Sequence, residues 1–97
     1  MYPNSPAARF DFDYFQNKHM PLVKARLGDA CKSCGIDKGL AGEDPSAPAT
    51  YIAIGHVRGE SSEALEAAYT PHADEIMSDI PKFTNITPIV QVSEVLL

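Results

Sequence analysis

Apolar residues recur along the first third of the chain at three- and four-residue steps: Phe12, Phe15, His19, Leu22, Val23 and Leu27. This is the spacing of a helix with one stripe turned inward, and it places a titratable imidazole in the middle of that stripe. Asp11 or Asp13 can cap the helix, and Gly28 supplies its stop, which gives about four turns. Pro21 lies well inside. It lacks a backbone donor and crowds the carbonyl of Asn17, so the helix is expected to kink beside His19.

The period then changes from helical to alternating. Ser33 to Leu40 reads as a strand, and the polar run Ala41 to Pro48, rich in Gly and Pro, reads as a loop. Thr50 to Val57 is β-branched and aromatic enough for a central strand, with Tyr51, Ala53, Gly55 and Val57 on one face and Ile52, Ile54 and His56 on the other. Ser61 caps a second helix with Glu63 and Glu66 in its first turns, where the helix dipole favours acidic groups. Thr70-Pro71 reads as a fresh cap and first helical position, restarting a helix through Ile76 and Ile80 to Pro81. Thr87 to Leu97 is expected to close the chain as a last strand.

Strands and helices in this order make an α+β chain of the ferredoxin-like βαββαβ kind, with an antiparallel sheet and a truncated first strand, since only Met1 to Asn4 precede the first turn. In that sheet the first strand is central, and its loss would leave two ladders unpaired. The expectation is therefore that the natural start lies upstream of Met1; an intact mass of 10.5 kDa for the native protein would contradict it.

At 97 residues the chain is a single domain (1–97), close to the lower limit for one core without disulfides or metals, and a packed partner would help it. Hydrophobic residues at 44% and charged residues at 22% are those of an ordinary globular protein. A net charge of -5, with eight scattered Lys and Arg, argues against nucleic acid and against a membrane surface. No apolar run approaches the roughly 20 residues of a bilayer span, and no signal-peptide pattern is visible, so a cytoplasmic protein is expected. Cys31 and Cys34 form one Cys-x-x-Cys pair, two ligands where a structural zinc wants four, and His19, His56 and His72 show no spacing that completes a site. The pair reads as two ordinary reduced thiols, and no metal is expected.

Several of these runs occur together: Tyr2-Pro3-Asn4, Phe10-Asp11, Lys18-His19-Met20-Pro21-Leu22-Val23, Tyr51-Ile52-Ala53-Ile54, Asp79-Ile80-Pro81-Lys82-Phe83-Thr84-Asn85 and Gln91. In this order they resemble the EthD family over nearly the whole chain. The resemblance implies a dimeric α+β barrel, in which two ferredoxin-like subunits pack their sheets face to face with helices outside. It also implies a link to bacterial breakdown of ether-type xenobiotics beside an oxidising system. Families of the same barrel include cofactor-free monooxygenases, isomerases and polyketide cyclases. Cys31 and Cys34 match no motif of the family.

His19, matched to the family's motif histidine, can act as general base or acid, because imidazole exchanges protons readily around neutrality. It can equally be a core histidine bonded to a backbone carbonyl, such as the one Pro21 frees. Asp79 can orient that imidazole as a carboxylate fixes a histidine tautomer, or it can be a loop residue bonded to its own backbone. His56 is the odd member of an apolar strand face, turned to the helices or to the barrel. Gln91, between Val90 and Val92, reads as a ligand contact or a structural hydrogen bond. The expected function is a homodimeric, cofactor-free enzyme of oxidoreductase or monooxygenase type, or a related isomerase or cyclase, acting on a small apolar organic compound. In it His19 and Asp79 are the catalytic candidates, and Phe15, Tyr51, His56 and Gln91 the substrate-binding ones. The alternative is a non-catalytic accessory that binds a hydrophobic ligand for an oxygenase.

Overall fold

The sheet is built on β3 (Tyr51–Arg58), whose β-branched and small residues favour extended pairing on both sides. In this computed structural model, which describes residues 1–96, β3 is flanked by β1 (Tyr2–Pro3) and β2 (Ser33–Lys38), both antiparallel to it. Tyr2 pairs with Ala53 and Pro3 with Tyr51, so the first strand is short but present, at one edge of the sheet beside β3. Ser33 opposite Arg58 through Lys38 opposite Ala53 sets the register on the other side.

All helices lie on one face. The first arm runs through α1 (Phe12–Tyr14), a π-helical turn (Phe15–His19) and α2 (Met20–Leu27). Asp11 caps it by accepting from the Tyr14 amide, and Gly28 ends it with a φ of 57°, a left-handed value that a side chain would strain. The distortion expected from Pro21 takes the form of the π turn: Pro21 opens α2, and the Met20 amide reaches back five residues to the Phe15 carbonyl. One extra residue enters the turn, so Met20 joins His19 on the buried side and Leu22 is only half-buried.

The second arm comprises α3 (Ser62–Tyr69), a 3₁₀ turn (Thr70–His72) and α4 (Ala73–Asp79), followed by a 3₁₀ turn at Ile80–Lys82. Ser61 caps α3 through the Ala64 amide. Thr70 does not cap a new helix. Its hydroxyl donates back to the Glu66 carbonyl and closes α3, because the chain never leaves helical backbone there.

Tyr2, Phe15, Met20, Ala53, Ile80 and Phe83 form the main core between helices and sheet, and Val23, Leu27 and Ile76 a smaller one. Ala53, Gly55 and Val57 face the helices, and the close approach at Gly55 is specific: a Cβ there would stand 3.3 Å from Phe15 Cζ and 3.5 Å from Met20 Sδ.

The last strand expected at Thr87 to Leu97 does not form among the described residues; Leu97 lies outside them. Met1 and Ile89 exchange two backbone hydrogen bonds, at 2.9 and 2.8 Å, where a strand beside β1 would begin. With β1 only two residues long, the ladder has no continuation. Ile89, Val90, Val92, Val95 and Leu96 are exposed.

Candidate functional site

The π turn and the end of α4 converge on His19. Its ring is 3% exposed, and Nδ1 lies 3.0 Å from Oδ2 of Asp79, which is 7% exposed. The other carboxylate oxygen accepts from the Tyr14 hydroxyl at 2.7 Å, with the Lys82 ammonium 3.6 Å away. Burial pushes the Asp79 carboxyl up, but the hydrogen bonds from Tyr14 and His19 and the charges of His19 and Lys82 outweigh it, so the group stays below its ordinary range. The same contact pushes the Tyr14 phenol up.

Two rings flank the imidazole. Phe83 lies 4.6 Å from it between centroids and Phe15 lies 6.0 Å away, nearly parallel; Tyr14 stacks on Phe83. No buried side-chain nitrogen or oxygen among the described residues lacks a hydrogen-bond partner. Since among the described residues only Nδ1 of His19 has one, Nε2 keeps the ring's residual contact with solvent. A carboxylate that fixes Nδ1–H leaves Nε2 as the nitrogen able to take up or release a proton.

Residues 79–85 act as one clamp. After Asp79, the 3₁₀ turn turns Phe83 onto His19, and the following residues tie down the loop before α1. Thr84 donates to the Arg9 carbonyl at 2.6 Å and accepts from the Ile86 amide, while Asn85 accepts from the Arg9 amide and donates to the Ala7 carbonyl. The Asp11 amide donates to the Phe83 carbonyl at 2.7 Å. The cap of α1 and the carboxylate that holds His19 are thus fixed to each other.

A crystal structure of an EthD-like protein from Ralstonia eutropha JMP134 has the same fold, with a TM-score of 0.95; the two chains are 44% identical, and the match covers 100% of this chain and 87% of that one. The chain belongs to the EthD family. No family model matches it, and neither does any curated protein.

In this EthD-family chain the other expected site residues do not gather around His19. Phe15 is 1% exposed and belongs to the core instead of lining a pocket. Phe15 and Met20 fill the space between the distorted helix and the sheet, against Gly55. Tyr51 opens β3, half-buried opposite Pro3, away from the rings that touch His19. His56 projects from the opposite, open face of the sheet, where Nε2 lies 2.7 Å from Asp37 Oδ2. Gln91 is exposed and donates to Ser93 at 2.8 Å, so it is not a buried amide; without a last strand nothing covers it.

Tyr14, Met20 and Phe83 were not foreseen. Tyr14 sits one position before Phe15, off the α-helical stripe, and only the contact with Asp79 identifies it. Met20 is brought in by the π turn, for which Pro21 was the available signal. The two cysteines are free. Burial and the neighbouring Cys34 push the Cys31 thiol up, which makes it a poor nucleophile. No group of three or more His, Cys, Asp or Glu able to hold a metal ion occurs among the described residues, nor does a helix long and apolar enough to cross a membrane.

Proposed function

We propose that His19 is the proton-transfer centre of a cofactor-free enzyme acting on a small, largely apolar organic compound, of the oxidoreductase or monooxygenase type implied by the EthD resemblance. The observation carrying this reading is the Tyr14–Asp79–His19 chain. Asp79 accepts on both oxygens, holds the ring by Nδ1 and leaves Nε2 as the accessible nitrogen. A general base needs this arrangement: a fixed tautomer, a fixed ring plane and a carboxylate to stabilise the cation formed when a proton arrives. The buried rings of Phe15 and Phe83 against the imidazole make its surroundings apolar, which strengthens the Asp79 contact that fixes the ring.

The protein is proposed to be cytoplasmic and to work as a homodimer. Ile52 and Ile54 alternate with the inward residues of β3 and so lie on the sheet face that carries no helix, a face that a second sheet would cover.

One observation favours a different reading. Phe15 and Met20 fill the space between helix and sheet beside the imidazole, and a non-catalytic accessory, unlike an enzyme, needs no cleft at His19. Turnover and affinity separate the two. With a panel of small ethers and aromatic compounds, His19→Gln should abolish turnover while binding persists. Binding by the natural chain without turnover of any compound supports the accessory role.

A further inference from the structure

Neither Cys31 nor Cys34 takes part in the His19 centre, and the sheet brings the two together. Strict alternation along a strand sends residues three apart to opposite faces. The start of β2 breaks that alternation. The Lys32 amide donates to the Arg58 carbonyl at 2.7 Å, yet Arg58 stands opposite Ser33 in the register, so two residues face one in a β-bulge. The extra residue returns Cys34 to the side on which Cys31 lies. That side is the helix side: Cys34 pairs with Val57 across the ladder, and Val57 and Cys31 pack against the same cluster of Val23, Leu27 and Ile76. Both thiols therefore stand off the open sheet face on which the second copy is proposed to pack.

The thiols are within hydrogen-bonding reach of each other, and Cys31 also donates to the Ser33 carbonyl at 3.5 Å. Cys31 is half-buried on its apolar seat and Cys34 is exposed, so one sulfur is held while the other is open to an incoming ligand. Lys24, in the last turn of α2, brings its charge to the Cys31 thiol and makes no salt bridge among the described residues.

Two sulfurs are too few for zinc, whose structural sites take four ligands. They are a full set for a soft monovalent ion, since thiolates select copper(I), and copper(I) can bind linearly between two of them. At the roughly 2.3 Å of a metal–thiolate bond, such an ion spans sulfurs about 4.6 Å apart. A disulfide would have to draw them to about 2.05 Å. Thiols that share a hydrogen bond stand nearer the first spacing. Coordination deprotonates a thiol outright, so the upward push of burial on Cys31 does not bar it. Two thiolates and one copper(I) leave a single negative charge, which the Lys24 ammonium offsets.

We propose that Cys31 and Cys34 form a two-coordinate copper(I) site. Binding forms two S–Cu bonds and releases one proton from each thiol, with no electron transferred. The site lies where the 3₁₀ turn after α2 enters β2, apart from the His19 centre, and does not rest on the function proposed there.

The test is an anaerobic titration of the reduced chain with copper(I) held by bicinchoninate, whose violet complex loses its colour as the ion leaves it. One equivalent per chain should be withdrawn. Alkylation by iodoacetamide then reads each thiol, because trypsin, cutting after Arg26, Lys32 and Lys38, puts Cys31 in the peptide 27–32 and Cys34 in 33–38. Both should become protected together as the equivalent is reached. Cys31→Ser and Cys34→Ser should each weaken copper(I) binding by more than about a hundredfold, since loss of a ligand costs more than the roughly 10- to 100-fold lost with a residue behind one. Their circular dichroism spectra should match that of the natural chain. No withdrawal by the natural chain, equal withdrawal by a Cys31→Ser/Cys34→Ser chain, or one copper(I) shared between two chains would overturn the proposal.

Discussion

Asp79 lies 3.0 Å from the Nδ1 of His19 although sixty residues separate them in the chain, and its second oxygen is taken by the hydroxyl of Tyr14. Asp79→Asn keeps the shape but removes the charge that both partners use. The loss is expected to be about 1 to 3 kcal/mol, the scale of a buried hydrogen bond to a charged group. The pH dependence follows from the depressed carboxyl. A folded-state value below the ordinary 3.8 stabilises the fold above that pH, and the contribution disappears as pH falls below 3.8 toward the folded value. Urea unfolding at pH 7 and near pH 3 should show a large gap between the two proteins at pH 7 and a smaller one in acid.

Tyr14→Phe keeps the ring stacked on Phe83 and deletes only the hydroxyl. Asp79 then loses the strongest of the contacts that lower its carboxyl, so its titration, followed by carbon NMR of the carboxyl, should move upward toward the ordinary range. Stability should fall by less than in Asp79→Asn, since one hydrogen bond is lost and the charge stays. An unmoved Asp79 titration would show that the hydroxyl does not act on the carboxylate in solution.

Phe15 touches Tyr2, Phe10, Phe83 and His19 and approaches Gly55. Phe15→Ala should cost about 3 to 5 kcal/mol through the cavity it leaves, enough to unfold much of a small domain whose total stability is of the order of 5 to 15 kcal/mol. Phe15→Met, which keeps most of the volume, should cost far less. Thermal melts of the two variants give the comparison.

Much of this architecture was legible in the residue pattern. The first helical arm, the caps at Asp11 and Ser61, the stop at Gly28 and the grouping of Ala53, Gly55 and Val57 on one face of β3 all follow from local periodicity and turn chemistry, which sequence carries directly. Four features did not. Met20 enters the core because the π turn adds one residue, and a strict α-helical count from Phe15 passes over it. Thr70 looked like a cap because caps are judged by residue type, whereas its hydroxyl bonds back to Glu66 as α3 passes into a 3₁₀ turn. The last strand depended on a neighbour: residues after Ile89 have strand-like composition, but β1 offers only two residues to pair with. The contact of His19 with Asp79 had no spacing in sequence to announce it, since it depends on how the two helical arms dock.

The open sheet face makes the dimer testable apart from any chemistry. Replacing Ile54 with Glu places a charge on the proposed contact without touching the helix-side core. Light scattering on the natural chain should give twice 10.5 kDa, and on Ile54→Glu a single copy with its circular dichroism spectrum unchanged. A natural chain that is monomeric at all concentrations would rule out the proposed pairing.

The most direct test of the account is the single-turnover rate of His19→Gln against the natural chain on a compound that the natural chain converts. Gln keeps a polar side chain of similar reach but cannot exchange a proton. The account predicts a rate lower by about a hundredfold or more, with compound affinity little changed. A His19→Gln protein that converts the compound at the natural rate would contradict it.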